Sequence, residues 1–197
     1  MIETIGLVAG SGWASGLNLY LAVLMLGMGN RLGWAEVPDV LARTDVMIVA
    51  GVLFGVEFLA DKVPYLDNLW DAIHTFIRPA GAAALGAVLA GESGSIGAAL
   101  GAVIGGALAL DAHAAKATTR VVANTSPEPF SNIALSLAED ISVALLVVLA
   151  VAYPIVALIV VAVLVAAATA LTVWMWHAAS RAWRRIRERG WLRRART

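Results

Sequence analysis

The chain of 197 residues contains no cysteine. That excludes a disulfide framework, a thiolate nucleophile and a thiolate metal site. Charge is also scarce, at 14% of residues against about 25% in an ordinary soluble domain. There is neither a nucleophile beside a general base nor a glycine loop of the phosphate-cradling type, so no catalytic signature stands out. Residues 1–4 lack the basic start of a secretory signal, and the apolar run 6–29 is too long for its core. What is abundant is hydrocarbon: 60% of residues are apolar and mean hydropathy is +0.82. A soluble core of this size cannot enclose so much apolar surface. Lipid must be the solvent for much of the chain. A soluble domain, a disordered chain and a nucleic-acid-binding domain are all excluded as classes.

Net charge is zero, but it is unevenly placed. Arg181, Arg184, Arg185, Arg187, Arg189, Arg193, Arg194 and Arg196 crowd the last 17 residues, opposed there only by Glu188. A basic block directly after an apolar run anchors a cytoplasmic end. Trp183 and Trp191 suit an interfacial belt. Residues 1–180 therefore read as a transmembrane helical domain and 181–197 as a basic cytoplasmic tail.

A helix needs roughly 20 mostly apolar residues to cross about 30 Å of hydrocarbon. Six segments qualify: 5–29, 45–61, 66–90, 93–121, 131–151 and 154–177. The expected fold is an all-α integral membrane bundle of about six transmembrane helices, with the third broken at Pro79. Five spans, with the third segment only dipping into the bilayer, is the competing count. Six spans place both termini on one side. Lys62, Arg78, Lys116, Arg120 and the tail then lie inside, and only Arg31 and Arg43 outside. The expected location is a bacterial inner membrane with cytoplasmic termini. Segment 30–44 is too polar to cross and reads as a surface loop or a short interfacial helix through Trp34, Val37, Val40 and Leu41.

Small residues repeat every fourth position: Gly12 and Gly16 in the first segment, Gly97, Gly101 and Gly105 in the fourth. That spacing lets helix backbones approach closely where lipid supplies no hydrophobic drive. It marks internal helix contacts and points to the fourth helix as central.

Charges inside membrane spans are expensive and mark function. Here they gather toward one end of segments two to five. Asp67, Asp71, His74 and Arg78 step by 4, 3 and 4, which puts them on one helix face. His113, Lys116 and Arg120 form a basic stripe on the fourth helix. Asn132, Ser136 and Glu139 form a stripe on the fifth, with Asp140 beside it. Together with Glu57 and Asp61 these stripes predict a polar vestibule on the cytoplasmic side. The alternative is a closed network of buried salt bridges that only fixes the fold. Asp71 and His74, one turn from Asp67, would suit Mn, Fe or Zn. Hydrogen bonds to neighbouring helices explain them more simply, so the metal stays unspecified and no cofactor is called for. His74 and His113 are candidate proton relays. Asn18, a lone polar group in the middle of the first segment, reads as making an interhelical hydrogen bond.

The stretch 57–79 (EFLADKVPYLDNLWDAIHTFIRP), the turn 124–132 (NTSPEPFSN) and the early SGLNLY at 15–20 resemble a bacterial family of small multi-span proteins catalogued as a domain of unknown function. The resemblance runs over about residues 5–175. It implies a shared polytopic helical fold and supplies no reaction, substrate or catalytic residue. Segments two–three and four–five also look like two similar helical hairpins, the kind of repeat found in transporters.

The expected function is a transporter or channel for a small ion or polar solute. Glu57, Asp61, Asp67, Asp71, His74, Arg78, His113, Lys116, Arg120, Asn132, Glu139 and Asp140 would line the pathway. The expected partners are the bilayer, the solute and a second copy of the chain, with no nucleic acid. Two alternatives stand beside it: a structural or assembly subunit of a membrane complex, and a membrane-interface enzyme acting on a lipid headgroup.

Overall fold

The computed structural model describes residues 1–123 and 129–194. The turn 124–128, including most of the NTSPEPFSN motif, and residues 195–197 lie outside them, so the readings placed there are not addressed by the fold. Among the described residues there is no strand. The elements are α1 (Ile2–Leu32), α2 (Thr44–Ala60), α3 (Pro64–Ala90), α4 (Gly94–Ala123), α5 (Pro129–Ala152) and α6 (Pro154–Arg194), with 3-10 turns at Asp39–Ala42 and Gly91–Ser93. Four stretches are long and apolar enough to cross a membrane: Ile2–Leu32, Leu66–Val121, Asn132–Ala152 and Pro154–Arg181. The second runs through both α3 and α4. Large apolar side chains such as Ile48, Phe76, Leu100, Val103, Leu145 and Ile159 are exposed around the bundle, a surface that only lipid can cover. The protein is a membrane-embedded helical bundle.

The first apolar segment is not one span. Its backbone leaves helical geometry at Asn18 (φ −149°, ψ 98°). A straight helix from residue 3 to residue 33 would separate its ends by about 45 Å. Instead Glu3, Thr4 and Leu7 share one cleft with Gly33, Trp34, Val37 and Pro38. α1 is therefore a hairpin. An outgoing arm (residues 2–17, about 24 Å) and a return arm (19–32, about 21 Å) meet at Asn18. Asn18 Oδ1 accepts from the Leu21 N–H at 3.0 Å, which caps the return arm. The return arm ends at Gly33, in the left-handed region (φ 77°), whose N–H bonds the Asn30 carbonyl.

Segment 30–44 keeps most of its residues exposed, Trp34 and Val40 among them, and forms a short 3-10 helix at Asp39–Ala42, but its other side is packed. Ala35, Val37 and Leu41 turn inward and join the core beneath the hairpin. Asn30 Nδ2 donates to the Val37 carbonyl at 2.6 Å and Arg31 to Ala42 and Thr44, both at 2.7 Å, which holds the segment there.

The remaining helices pack around this hairpin. α3 and α4 run antiparallel: Gly86 meets Gly101, Ala82 meets Gly105, Arg78 meets His113 and Asp67 meets Arg120. Gly94 (φ 83°) makes the turn between them. The glycine seams are internal contacts, as their spacing predicts. A Cβ on Gly12 would stand 2.8 Å from Gly105 Cα, so the outgoing arm and α4 touch backbone to backbone. α6 starts beside Gly6 and Gly10, so it runs in the same direction as the outgoing arm.

Three expectations are corrected by this arrangement. The central helix is α1, with 72% of its apolar window buried against 17% for the α3–α4 stretch. α4's small residues face inward while Ile96, Leu100 and Val103 face out. α3 passes through Pro79 as one helix; the break lies at Asn18. Met1, packed near Ser93 and Ile96, and the basic end of α6 occupy opposite ends of the bundle rather than the same one.

Candidate functional site

The polar stripes of α3, α4 and α5 converge where the α1 hairpin turns. Glu57, Asp61, Asp67, Asp71, His74, Arg78, His113, Lys116, Arg120 and Glu139 are each at most 8% exposed. They form one ion-pair core with three cationic centres.

Arg78 is the first. Its Nη2 donates to Glu57 Oε1 at 2.7 Å, and its Nη1 donates to Asp71 Oδ1 at 2.9 Å and to His113 Nδ1 at 2.7 Å. A guanidinium only donates, so His113 Nδ1 accepts and the ring's proton sits on Nε2. Nε2 then donates to Thr75 Oγ1 at 3.0 Å, and the Thr75 hydroxyl donates to the Asp71 carbonyl at 3.0 Å.

Arg120 is the second. It grips Glu139 at 2.7 and 3.4 Å, Asp61 through its carbonyl at 3.2 Å and its carboxylate at 3.4 Å, and Asp67 at 3.3 Å. Lys116 is the third, 3.0 Å from Asp61, 3.3 Å from Glu139 and 3.3 Å from the Leu17 carbonyl. That carbonyl closes the outgoing arm, the negative pole of a helix.

Asn18 Nδ2 donates to Asp140 Oδ1 at 3.0 Å, so the interhelical role read from its sequence position holds. The hairpin tip is thus wired to α4 through Lys116 and to α5 through Asp140.

Both candidate relay histidines are fully engaged. His74 Nδ1 faces the Trp70 carbonyl at 2.8 Å and so carries the proton; Nε2 accepts from the Tyr20 hydroxyl at 2.9 Å. The Trp70 ring stacks on His74 at 4.5 Å. These bonds use the nitrogens that a metal would need. Among the described residues no group of three or more His, Asp or Glu is arranged to hold a metal ion. The Asp67–Asp71–His74 reading as a metal stripe gives way to ion pairs and hydrogen bonds.

Two charges outside the candidate set, Asp111 and Lys62, have partners of their own, while two of the polar residues read from the fifth helix, Asn132 and Ser136, are buried on α5. Asp111 accepts from Trp13 at 3.3 Å and from Thr169 at 2.9 Å, tying α1, α4 and α6 together outside the core. Lys62 bonds the Phe58 carbonyl at 2.8 Å and lies over the Phe58 ring. Tyr20, Trp70, Thr75 and the Leu17 carbonyl joined the site without being foreseen. Only Tyr20 carried a signal, as a polar aromatic two residues past Asn18.

Among the described residues the groups of the ion-pair core are closed in, none more than 8% exposed. Among the described clefts, one touches it, at Glu139, and that cleft is otherwise lined mostly by apolar residues of α1, α5 and α6.

The charge count does not close. Five buried carboxylates (Glu57, Asp61, Asp67, Asp71, Glu139) face three buried cations (Arg78, Lys116, Arg120), a balance of −2 when all are ionised. Among the described residues, Glu57 Oε2, Asp61 Oδ1 and both Asp67 oxygens have no hydrogen-bond partner, although Arg120 lies within ion-pair distance of Asp67 Oδ2. Buried carboxylate oxygens without donors cost several kcal/mol of lost hydration. Arg78 Nε and Trp70 Nε1 are donors left over among the same residues, but carboxylate still outnumbers cation.

Residues 5–175 match the family model described as Domain of unknown function (DUF4126). No curated protein and no solved structure matches.

Proposed function

The chain belongs to the family described as Domain of unknown function (DUF4126), and we propose that it is a membrane transporter or channel for a small cation. The observation that carries this reading is the helix broken at Asn18 inside the ion-pair core. Non-helical backbone within a bilayer is tolerated only where protein buries it or where it lines a pathway. Discontinuous helices that present their poles to charged groups near mid-depth are the usual form of a transport site. Here the outgoing arm offers the Leu17 carbonyl to Lys116, and the return arm starts at an asparagine bonded to Asp140.

On this reading α1 is a re-entrant hairpin, and α2 to α6 cross the membrane with the basic end of α6 in the cytoplasm. The surplus of buried carboxylate favours a cation over an anion. Movement of the hairpin tip against α4 and α5 would open the packed core.

The test is flux. Purified protein in liposomes is supplied with Na+, K+ or a proton gradient, and uptake is followed with ion-selective dyes. Electrogenic or cation-dependent uptake above protein-free vesicles is expected. Its absence in a sample shown to be folded refutes transport.

One observation favours a structural subunit instead: each buried cation already has at least two carboxylate neighbours. A scaffold would show no flux and would co-purify from native membranes with another protein at fixed stoichiometry.

A further inference from the structure

Seven arginines and a single glutamate fall between positions 181 and 194, all on α6. They take no part in the ion-pair core. The helix that carries them has 41 residues, about 61 Å, roughly twice the hydrocarbon thickness of a bilayer. From Pro154, about 20 residues bring it across, to Trp174 and Trp176, both exposed. Such rings suit the boundary between hydrocarbon and headgroups. Arg181 follows Trp176 by about 7 Å of rise, in a headgroup layer about 5–7 Å thick. Arg184 and Arg187 stand about 5 and 9 Å further out, still within a Debye length of about 10 Å at 0.1 M salt.

The second observation is which charges the protein itself answers. Every basic side chain before residue 181 donates to a partner within the chain: Arg31 to the Ala42 carbonyl, Arg43 to Asp45, Lys62 to the Phe58 carbonyl, and Arg78, Lys116 and Arg120 to carboxylates of the ion-pair core. Arg181, Arg184 and Arg187 are exposed, and among the described residues none of the three has a hydrogen-bond or ion-pair partner. Their spacing sets like charges one turn apart, which weakens a helix on its own. The negative pole of α6 compensates only its last turn, which ends at Arg194. These three lie before that turn, so the anion they lack must come from outside the chain. At this depth the nearest dense array of anions is the leaflet itself, whose phosphates match a guanidinium's paired donors.

We propose that this end of α6 is a binding site for anionic phospholipid, with Arg181 and Arg184 on headgroup phosphates and Arg187 held by the field of the charged surface. The site stands whether or not the protein moves ions.

The test uses full-length protein in mixed micelles with equal amounts of phosphatidylglycerol and phosphatidylcholine. The protein is separated by size-exclusion chromatography in low or high NaCl, and the lipid that travels with it is quantified by mass spectrometry. At low salt, wild type is expected to retain phosphatidylglycerol over phosphatidylcholine by roughly tenfold or more, since each basic residue near an anionic surface contributes about a fivefold factor. High salt should remove most of that preference. The triple variant Arg181→Gln, Arg184→Gln, Arg187→Gln should lose most of it at low salt. The corresponding triple lysine variant, which keeps the charge, should retain it. Equal melting of all three proteins in phosphatidylcholine micelles shows that the loss is not one of fold; should the glutamine variant fail to fold, the salt dependence of wild type decides. Equal retention of the two lipids by wild type, a preference that salt does not weaken, or the full preference in the folded glutamine variant overturns the site. A short RNA that binds wild type while phosphatidylglycerol shows no preference would assign these arginines to nucleic acid and overturn it as well.

Discussion

Replacing Asn18 with alanine tests the central geometric feature, the reversal of α1. The backbone at Asn18 is extended (φ −149°), a conformation open to any residue, so strain does not select asparagine. What selects it is two bonds: Oδ1 caps the Leu21 N–H, and Nδ2 serves Asp140. Losing a cap costs about 1 kcal/mol. Leaving the Asp140 carboxylate without its donor costs about 1–3 kcal/mol more, since among the described residues its Oδ2 has no hydrogen-bond partner to compensate. The sum is about 2–4 kcal/mol. For a chain of this size each kcal/mol moves Tm by about 2–4 °C, so Asn18→Ala should melt roughly 4–16 °C below wild type by tryptophan fluorescence in detergent. Asn18→Ser keeps a capping oxygen and loses the amide donor, so it should fall between the two. Alanine is the best helix former. If residues 2–32 were one continuous helix, Asn18→Ala would be neutral or stabilising, and either result refutes the hairpin.

The hairpin also has a topological consequence. The chain has no native cysteine, so Glu3→Cys, Glu36→Cys and Arg184→Cys can each be labelled with an impermeant maleimide in sealed vesicles. Positions 3 and 36 should react from the same side and position 184 from the other; opposite labelling of 3 and 36 would end the re-entrant reading. Arg78→Met strands Glu57 and Asp71 and should cost about 3–5 kcal/mol in melting experiments, with part of the loss recovered by adding Glu57→Gln. Gly12→Ala forces the outgoing arm away from Gly105 and should cost about 1–3 kcal/mol. The exposed Arg43–Asp45 pair, at 2.6 Å, is a contrast. Both side chains are solvent-exposed, where such a pair adds little, so Asp45→Asn should leave neutral-pH melting unchanged within error.

The cluster was legible because helical periodicity survives in any solvent. Asp67, Asp71, His74 and Arg78 share a face by spacing alone, as do His113, Lys116 and Arg120, and buried charges of opposite sign must find each other. The family motif at 57–79 fell on the same residues. The hairpin was not legible in hydropathy, which averages across a window and passes over one asparagine between leucines. Pro79 looked like the break because proline removes a helix bond. Helices in membranes nonetheless carry proline where neighbours restore the lost partners. The signal that would have found the true break is chemical: Asn18 is a strong capping residue inside an otherwise apolar run, three positions before Leu21, with Ser11 and Ser15 on the preceding turns. The same oversight misled the charge bias. Arg78, Lys116 and Arg120 were counted as loop residues on one side, yet each is buried in an ion pair and says nothing about which loop faces the cytoplasm.

The break and the ion pairs are more informative together than apart. A bundle that needed only to hold its shape would do so more cheaply with hydrocarbon, since buried charges seldom repay their lost hydration. A first segment that needed only to cross would do so without Asn18. Instead the hairpin tip is held by one lysine and one aspartate, from helices on different sides of it. Around that lysine there are more oxygens than N–H groups. Its bonds can therefore be redistributed among Asp61, Glu139 and Asp71 at smaller cost than a saturated pair would demand. A directed network such as Arg78 with Glu57, Asp71 and His113 fixes a position. An over-supplied one lets the group it surrounds move. The rigid centre packs α3 against α4, and the permissive centre meets the tip of α1, so a displacement in this fold would begin between Lys116 and the Leu17 carbonyl.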